Sequence, residues 1–434
     1  MKSRALLILF LILVGLTGGF LFLRDGKAPQ VTFYPADGTV SANSPPNLTL
    51  EDTETGLKNL TVTVSQGGKE TKLVDTAFPG GTPRHTVPLP LDKLGLKDGP
   101  MTIDIIAADN AMLANRAKQS LTVVYDNRPP TISVLTTAHN INQGGSGLAL
   151  FRVSEKVRRT GLQVGDRFFP AFPQQSGVYA CLFAFPYDMK PNEFLPRLVA
   201  VDLAGNERTS GIYFHIRRKP AKSDRITISQ AFLSEKMPDF QHYFPDTRDP
   251  LKLFLRVNNE LRAANVAKLK ELQTKTAGKP LWQGAFMRLP KAAPRAGFND
   301  QRDYYVDGQK VDHQTHLGID LASLAASPIP AANNGTVIFA NELGIYGQCV
   351  IIDHGLGLQS LYSHLSSMSI AVGDHVTKGQ IIGNTGTTGM AGGDHLHFGI
   401  LVNGIEVEPR EWLDQHWITD NFTDKWNQAL GTAK

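Results

Sequence analysis

Short runs in which apolar and polar residues alternate recur along most of this chain, and they restrict it to a fold built mainly of strands. Leu60-Thr61-Val62-Thr63-Val64 and Met101-Thr102-Ile103-Asp104-Ile105 are examples. On an extended chain successive side chains point to opposite faces, so a period of two gives each strand one apolar face. Clusters of Gly, Pro, Asn and Asp separate the runs, and the 40 Gly and 26 Pro of the 434 residues supply the turns that many short strands need. The fold class read from this pattern is mainly β: an antiparallel β domain near the C-terminus, preceded by two β-sandwich modules, a helical linker and an N-terminal transmembrane helix.

Residues 29–127 make the first sandwich and 128–217 the second. Asp109, after Ala107-Ala108, and Asp202, in Ala200-Val201-Asp202-Leu203-Ala204-Gly205-Asn206, lie 93 residues apart, about the length of one such sandwich. Both stretches resemble the immunoglobulin-like modules of bacterial surface proteins, in which an Ala-x-Asp-x-Ala-Gly-Asn turn precedes the last strand. Residues 218–285 read as a linker. Within it Asp249-Pro250 has the form of an N-cap followed by proline at the first helical position, opening a helix through about Leu272. Leu251, Phe254, Leu255, Leu261, Ala264 and Leu272 would form its apolar stripe. A β domain follows over 286–417, where Asn403-Gly404 signals a tight hairpin, and 418–434 form a tail.

The first 28 residues are expected to anchor the chain. Ala5 to Leu23 carry no charged side chain, and nineteen helical residues reach roughly 28 Å, close to the thickness of a bilayer's hydrocarbon core. Lys2 and Arg4 precede them, which favours a cytoplasmic N-terminus. The expected location is therefore the cell inner membrane, single-pass, with the bulk of the chain exported to the periplasmic or cell-wall side. A net charge of +4, from 44 basic and 40 acidic residues without a long basic run, argues against nucleic acid as a partner. The two cysteines, Cys181 and Cys349, read as buried free thiols rather than as metal ligands.

Eight of the twelve histidines lie at or beyond His313. His395 and His397 flank one residue, so on a strand they share a face. Gly318 and Ile319 make a regular helix unfavourable in His316-Leu317-Gly318-Ile319-Asp320, so an extended or loop geometry is expected there. Two imidazoles and a carboxylate can hold a divalent ion such as zinc and leave a coordination position open for water. His364, in Tyr362-Ser363-His364-Leu365, adds a further titratable group. No His-Glu-x-x-His occurs.

With these three motifs, and with Tyr346 to Gly355 and Val372 to Gly383, the region from about Phe286 to Leu413 resembles the lysostaphin-type zinc metallopeptidases of the M23 family. The resemblance implies an endopeptidase that hydrolyses peptide bonds of bacterial cell-wall peptidoglycan through a metal-activated water. It assigns Zn2+ to His316, Asp320 and His397, and makes His364 and His395 the catalytic pair. It leaves open which histidine is the base. The partners expected are the peptidoglycan peptide, the membrane through the N-terminal helix, and a regulatory protein. Tyr346 and Tyr362 are candidates for the cleft wall. The family's usual Phe-Gly-x-Arg is replaced by Gly297-Phe298-Asn299-Asp300-Gln301-Arg302, and Asp394 stands where relatives carry a small or neutral residue. Other readings of the same residues are a catalytically silent M23-like regulator or scaffold that binds peptidoglycan or an amidase, and an iron oxygenase using two histidines and a carboxylate.

Overall fold

The computed structural model describes residues 25–112 and 114–431, and these are mainly β. Among them no helix is long and apolar enough to cross a membrane, so the expected single-pass inner-membrane location is not supported. The apolar segment that carried that expectation, Ala5 to Leu23, lies outside the described residues. The longest helical stretch, Pro250 to Leu272, carries Lys252, Arg256, Glu260, Arg262, Lys268, Lys270 and Glu271 and packs one face on a sheet, which is incompatible with a lipid environment.

The chain divides into two compact units. The first runs to Pro130 and takes in Glu155–Arg158 and Val201–Arg208; the remainder forms the second. In the first unit a five-stranded sheet, centred on Leu57–Gln66 and Gly99–Asp109, and a three-stranded sheet of Gln30–Tyr34, Asn47–Glu51 and Arg84–Pro88 close over one core. Leu48 and Leu50 of the smaller sheet and Val62, Ile103, Ile105 and Val123 of the larger are all buried. The alternation of the sequence thus becomes the inward face of each strand. Asp109 and Asp202 act as turn acceptors: an Asp109 oxygen takes the Ala111 and Asn115 amides, and Asp202 takes that of Asn206.

In the second unit an antiparallel sheet ordered Phe172–Pro173, Val178–Ala184, Ser146–Val153 and Ile132–Val134 contributes to the same apolar core as the C-terminal β region. Polar contacts tie them as well. The Trp412 indole donates to Ser146 Oγ at 3.1 Å, and the Glu411 carboxyl accepts from Asn142 Nδ2 at 2.7 Å and from the Ser146 amide at 3.0 Å. Cys181 and Cys349 are buried and free.

The C-terminal region begins with β1 (Ser223–Thr227), followed by helices α1 (Gln230–Lys236), α2 (Pro250–Arg256) and α3 (Arg262–Leu272). The strands after them are β2 (Ala293–Ala296), β3 (Asp300–Val306), β4 (Gln309–His316), β5 (Ile319–Ala322), β6 (Pro328–Pro330), β7 (Gly335–Glu342), β8 (Gln348–Gly355), β9 (Leu358–Met368), β10 (His375–Val376), β11 (Ile381–Thr385), β12 (Leu396–Val402) and β13 (Ile405–Val407). A large sheet runs β2-β5-β12-β9-β8-β7-β10, with β13 beside β12, β11 beside β9 and β6 beside β11. A smaller one runs β1-β3-β4, with β1 parallel to β3. Asn403 and Gly404, both at positive φ, join β12 to β13 in a two-residue turn, as the sequence predicts.

The helix start at Asp249 is also as predicted: its side chain accepts the Lys252 amide and Pro250 occupies the first turn. The buried face holds half of the predicted stripe, Phe254, Leu261 and Leu272. Leu253, Phe254, Val257, Leu261, Leu269 and Leu272 are buried, whereas Leu251 and Leu255 are half-buried and Ala264 is exposed. A π-helical turn at Val257–Leu261, between α2 and α3, accounts for the exposure of Ala264, which follows it, but not for the half-burial of Leu251 and Leu255, which precede it. It inserts an extra residue and rotates the phase of everything after it. These helices share an apolar core with Ile338, Ile345, Tyr346, Cys349 and Ile351 of the large sheet and its loops.

A buried His–Asp–His cluster with two facing imidazoles

Strand β4 ends on His316, and Leu317 and Gly318 turn the chain into β5, so His316 and Asp320 belong to two extended segments, as expected. Strand β12 pairs with β5 in a register that sets His397 directly across from Asp320. The three side chains meet. His316 Nε2 lies 3.0 Å from Asp320 Oδ1 and 2.9 Å from His397 Nδ1, and His397 Nδ1 lies 2.9 Å from Asp320 Oδ1. The turn must be glycine at 318, because a Cβ there would come within 2.6 Å of the His397 ring and 2.7 Å of the Phe398 carbonyl.

Main-chain carbonyls fix the imidazoles. His316 Nδ1 faces the Gly297 carbonyl at 2.8 Å, and a carbonyl can only accept, so the proton sits on Nδ1 and Nε2 carries the lone pair. His364 faces the Thr388 carbonyl and His395 the Gly393 carbonyl in the same manner, each at 2.8 Å through Nδ1. Both therefore turn an Nε2 lone pair away from that anchor. The His364 and His395 ring centroids are 4.8 Å apart, and His395 Nε2 is 3.7 Å from Asp320 Oδ1.

His364 reaches this position through an irregularity. Between Val350↔Tyr362 and Gln348↔Leu365, β9 contains one residue more than β8, which is a bulge, and His364 sits in it at φ 65°. Strict alternation would put His364 on the face of Tyr362, whose hydroxyl is buried and bonded to the Ala332 amide and Ser360. The bulge redirects it. Tyr362 is accordingly a core residue rather than a cleft residue, whereas Tyr346 does line the cleft and packs 5.9 Å from the His397 ring.

The cleft has a volume of about 660 Å³, and its lining includes His316, Asp320, His364, His395 and His397 together with Arg262 and Arg302. Phe232 and Glu235 of α1 and Met390 lie on its rim. Burial by itself would raise the Asp320 carboxyl, but the His316 and His397 imidazoles set against it outweigh burial and hold the group well below the usual carboxylate range. Burial keeps His397 neutral, pushing it down to about 4. Burial, with repulsion from His395 and His397, also depresses His364. Burial pushes the Tyr346 phenol up, so it remains a neutral hydroxyl.

Asp394, which the sequence singled out, and two further histidines play other parts. Asp394 accepts the Ala326 amide and holds that turn, while His395 takes its orientation from Gly393. His354 is buried between the Asn334 carbonyl and Ser360 Oγ. His313 bonds to Asp303 and Gln301 outside the cluster. One contact is not evident from spacing: Arg302 Nη2 donates to Asp320 Oδ2 at 3.0 Å. The hairpin register accounts for it, since Asp300 pairs with His316 and Arg302, two residues on, shares its face of the hairpin.

His316, Asp320 and His397 each present a ligand atom to a common point. In a tetrahedral zinc site with bonds near 2.0–2.1 Å, donor atoms are spaced by roughly 3.3 Å, so the observed spacings of 2.9–3.0 Å need only a few tenths of an ångström of relaxation to accept the ion. The donor set fits. Two imidazoles and one carboxylate, left open on one side and faced by two more imidazoles, form an arrangement that metal-dependent hydrolases use.

Comparison with known proteins agrees with that class. Residues 314–409 match the model of Peptidase family M23, so the chain carries an M23 peptidase domain, and peptidases of that family are generally metallopeptidases. The DD-carboxypeptidase/endopeptidase Mpg of Neisseria meningitidis serogroup B is 42% identical over 94 residues, which is 22% of this chain and 22% of that one. The peptidoglycan DD-endopeptidase ShyC of Vibrio cholerae is 37% identical over 128 residues, 29% of each chain. The matched stretch thus spans less than a third of either relative. A crystal structure described as a putative peptidase M23 from Pseudomonas aeruginosa aligns with 62% of this chain and 93% of its own, at 20% identity and a TM-score of 0.40.

Proposed function

We propose that this chain is a zinc-dependent endopeptidase that hydrolyses peptide bonds of bacterial cell-wall peptidoglycan, with His316, Asp320 and His397 as zinc ligands and His364 and His395 as the catalytic pair. The observation that carries the reading is the convergence of those three donor atoms beside two imidazoles whose Nε2 lone pairs are free of their carbonyl anchors. The activities named for the Neisseria and Vibrio relatives support the peptidoglycan substrate and point to a DD bond.

Zinc at this site would supply Lewis acidity to a scissile carbonyl and lower the pKa of a water. The chain's own residues do the rest. His364 and His395 accept a proton at Nε2 while Nδ1–H stays on its carbonyl, and the resulting imidazolium favours the negative charge that develops on the substrate oxygen. Phe232, Phe254 and Tyr304 give the cleft wall an apolar part that limits water. Upstream, 29–127 and 128–217 are proposed as two β-sandwich modules and 286–417 as the peptidase domain.

The test is digestion of purified peptidoglycan by zinc-loaded wild-type protein and by His397→Ala, with products identified by mass spectrometry. Wild type is expected to release peptide-cleaved fragments and the variant to lose at least about 100-fold in rate. Equal release from both would overturn the mechanism, and binding without release by wild type would favour the silent-scaffold reading.

A further inference from the structure

We propose that Arg302 is a positioning residue of the metal site: it reserves one oxygen of Asp320 for the ion by occupying the other. The inference rests on the zinc reading above. Asp320 divides its two oxygens. Oδ1 is shared with His316 Nε2 and His397 Nδ1, whereas Oδ2 accepts Arg302 Nη2 at 3.0 Å. The ion pair is well shielded, with side-chain exposures of 21% for Arg302 and 12% for Asp320.

A free carboxylate can swing to present both oxygens to a cation and so fill two coordination positions. A site with three protein ligands needs the remaining position open for water or substrate. Arg302 blocks the second mode, because a carboxylate that turned Oδ2 toward the ion would abandon a charge-assisted hydrogen bond. Guanidinium suits this role, since it stays charged at all working pH values and its planar donors resist the swing of the carboxylate plane in a way that a lysine point charge does not.

Topology makes the clamp rigid. Arg302 lies on β3, the direct hairpin partner of β4, which ends on the ligand His316. Asp320 comes from β5 of the large sheet. The Arg302–Asp320 pair therefore joins the two sheets at the place where their ligands converge, and sets the distance between a ligand of one sheet and the carboxylate of the other. Groups that orient a ligand from behind commonly change metal affinity by about 10–100-fold when removed.

The experiment compares wild type, Arg302→Gln and Arg302→Lys by two readouts: Zn2+ affinity from competition with a chelating chromophore, and the visible absorption of the Co2+-substituted proteins. Thermal unfolding of the metal-free forms reports folding. Expected are Zn2+ binding roughly 10–100-fold weaker in Arg302→Gln, an intermediate loss in Arg302→Lys, and a weaker cobalt band in both as the second oxygen enters the coordination sphere. If Arg302→Gln does not fold, Arg302→Lys carries the comparison. Wild type that takes up no ion overturns this inference together with the zinc reading. Wild type that loads normally, with variants unchanged in affinity and spectrum, overturns the Arg302 assignment alone.

Discussion

His364 shows at the scale of one residue how the site stores strain. A non-glycine residue at φ 65° is held in the left-handed region at a cost of about 1–2 kcal/mol, and here the bulge around it aims an imidazole that regular pairing would send into the core. Glycine adopts that backbone freely, whereas alanine keeps the strain and lacks the Nδ1 bond to Thr388. Both His364→Gly and His364→Ala are expected to lose peptidoglycan cleavage, but the glycine variant is expected to be more stable than the alanine variant by about 1 kcal/mol in urea unfolding. An alanine variant as stable as the glycine one would show that the bulge carries no strain. The sequence made His364 visible as a candidate without revealing the bulge, because an extra residue in a strand is defined by its partner strand.

Helix α1 contributes side chains to the cleft lining. Its last residue, Lys236, donates to the Thr387 carbonyl at 2.6 Å, and Phe232 and Glu235 line the cleft with Met390 and Gly392. Seven residues are too few for an autonomous helix, so α1 draws on its Ser229 cap, on Leu233 and the following Met237 and Phe240 in the apolar core, and on this tie to the loop after β11. Lys236→Met is expected to speed amide exchange in residues 230–236 by about 10-fold or less while leaving the ligand strands β5 and β12 protected, a contrast that hydrogen-exchange mass spectrometry resolves. Unchanged exchange in α1 would mean that the Lys236 tie does not hold it. At this scale local signals were reliable where local chemistry decides the outcome. Asp249-Pro250 began a helix, Asn403-Gly404 closed a hairpin, and His395 and His397 entered one cleft. Only half of the buried stripe was legible: Phe254, Leu261 and Leu272 are buried, whereas the half-burial of Leu251 and Leu255 is decided by the sheet beneath them and the exposure of Ala264 follows a π turn that has no spacing signature.

At the scale of the molecule, the apolar core common to residues 131–200 and the C-terminal β region was hidden from the sequence, since Glu411 and its partners Asn142 and Ser146 are more than 260 positions apart. Burial outweighs those hydrogen bonds and pushes the Glu411 carboxyl up to about 7. With its folded pKa above the unfolded value of 4.5, the protonated form is preferred in the native state, so the stability it contributes is full below about pH 4.5 and is lost as pH rises through about 7. Glu411→Gln is expected to remove that slope. The difference in unfolding free energy between variant and wild type should shift in favour of the variant by on the order of 3 kcal/mol from pH 4.5 to pH 8, measured by urea titration at each pH; a difference independent of pH would place Glu411 in a wetter setting. The parallel pairing of β1 with β3 bears on how the protein can be cut. A fragment starting at 314, where the family match begins, would divide β4 just before His316 and discard Arg302, β3 and the strand that covers β3. The smallest excised piece that keeps the site whole must start upstream of Ser223, so proteolytic trimming or recombinant expression guided by the family boundary alone would remove part of the machinery it sought to isolate.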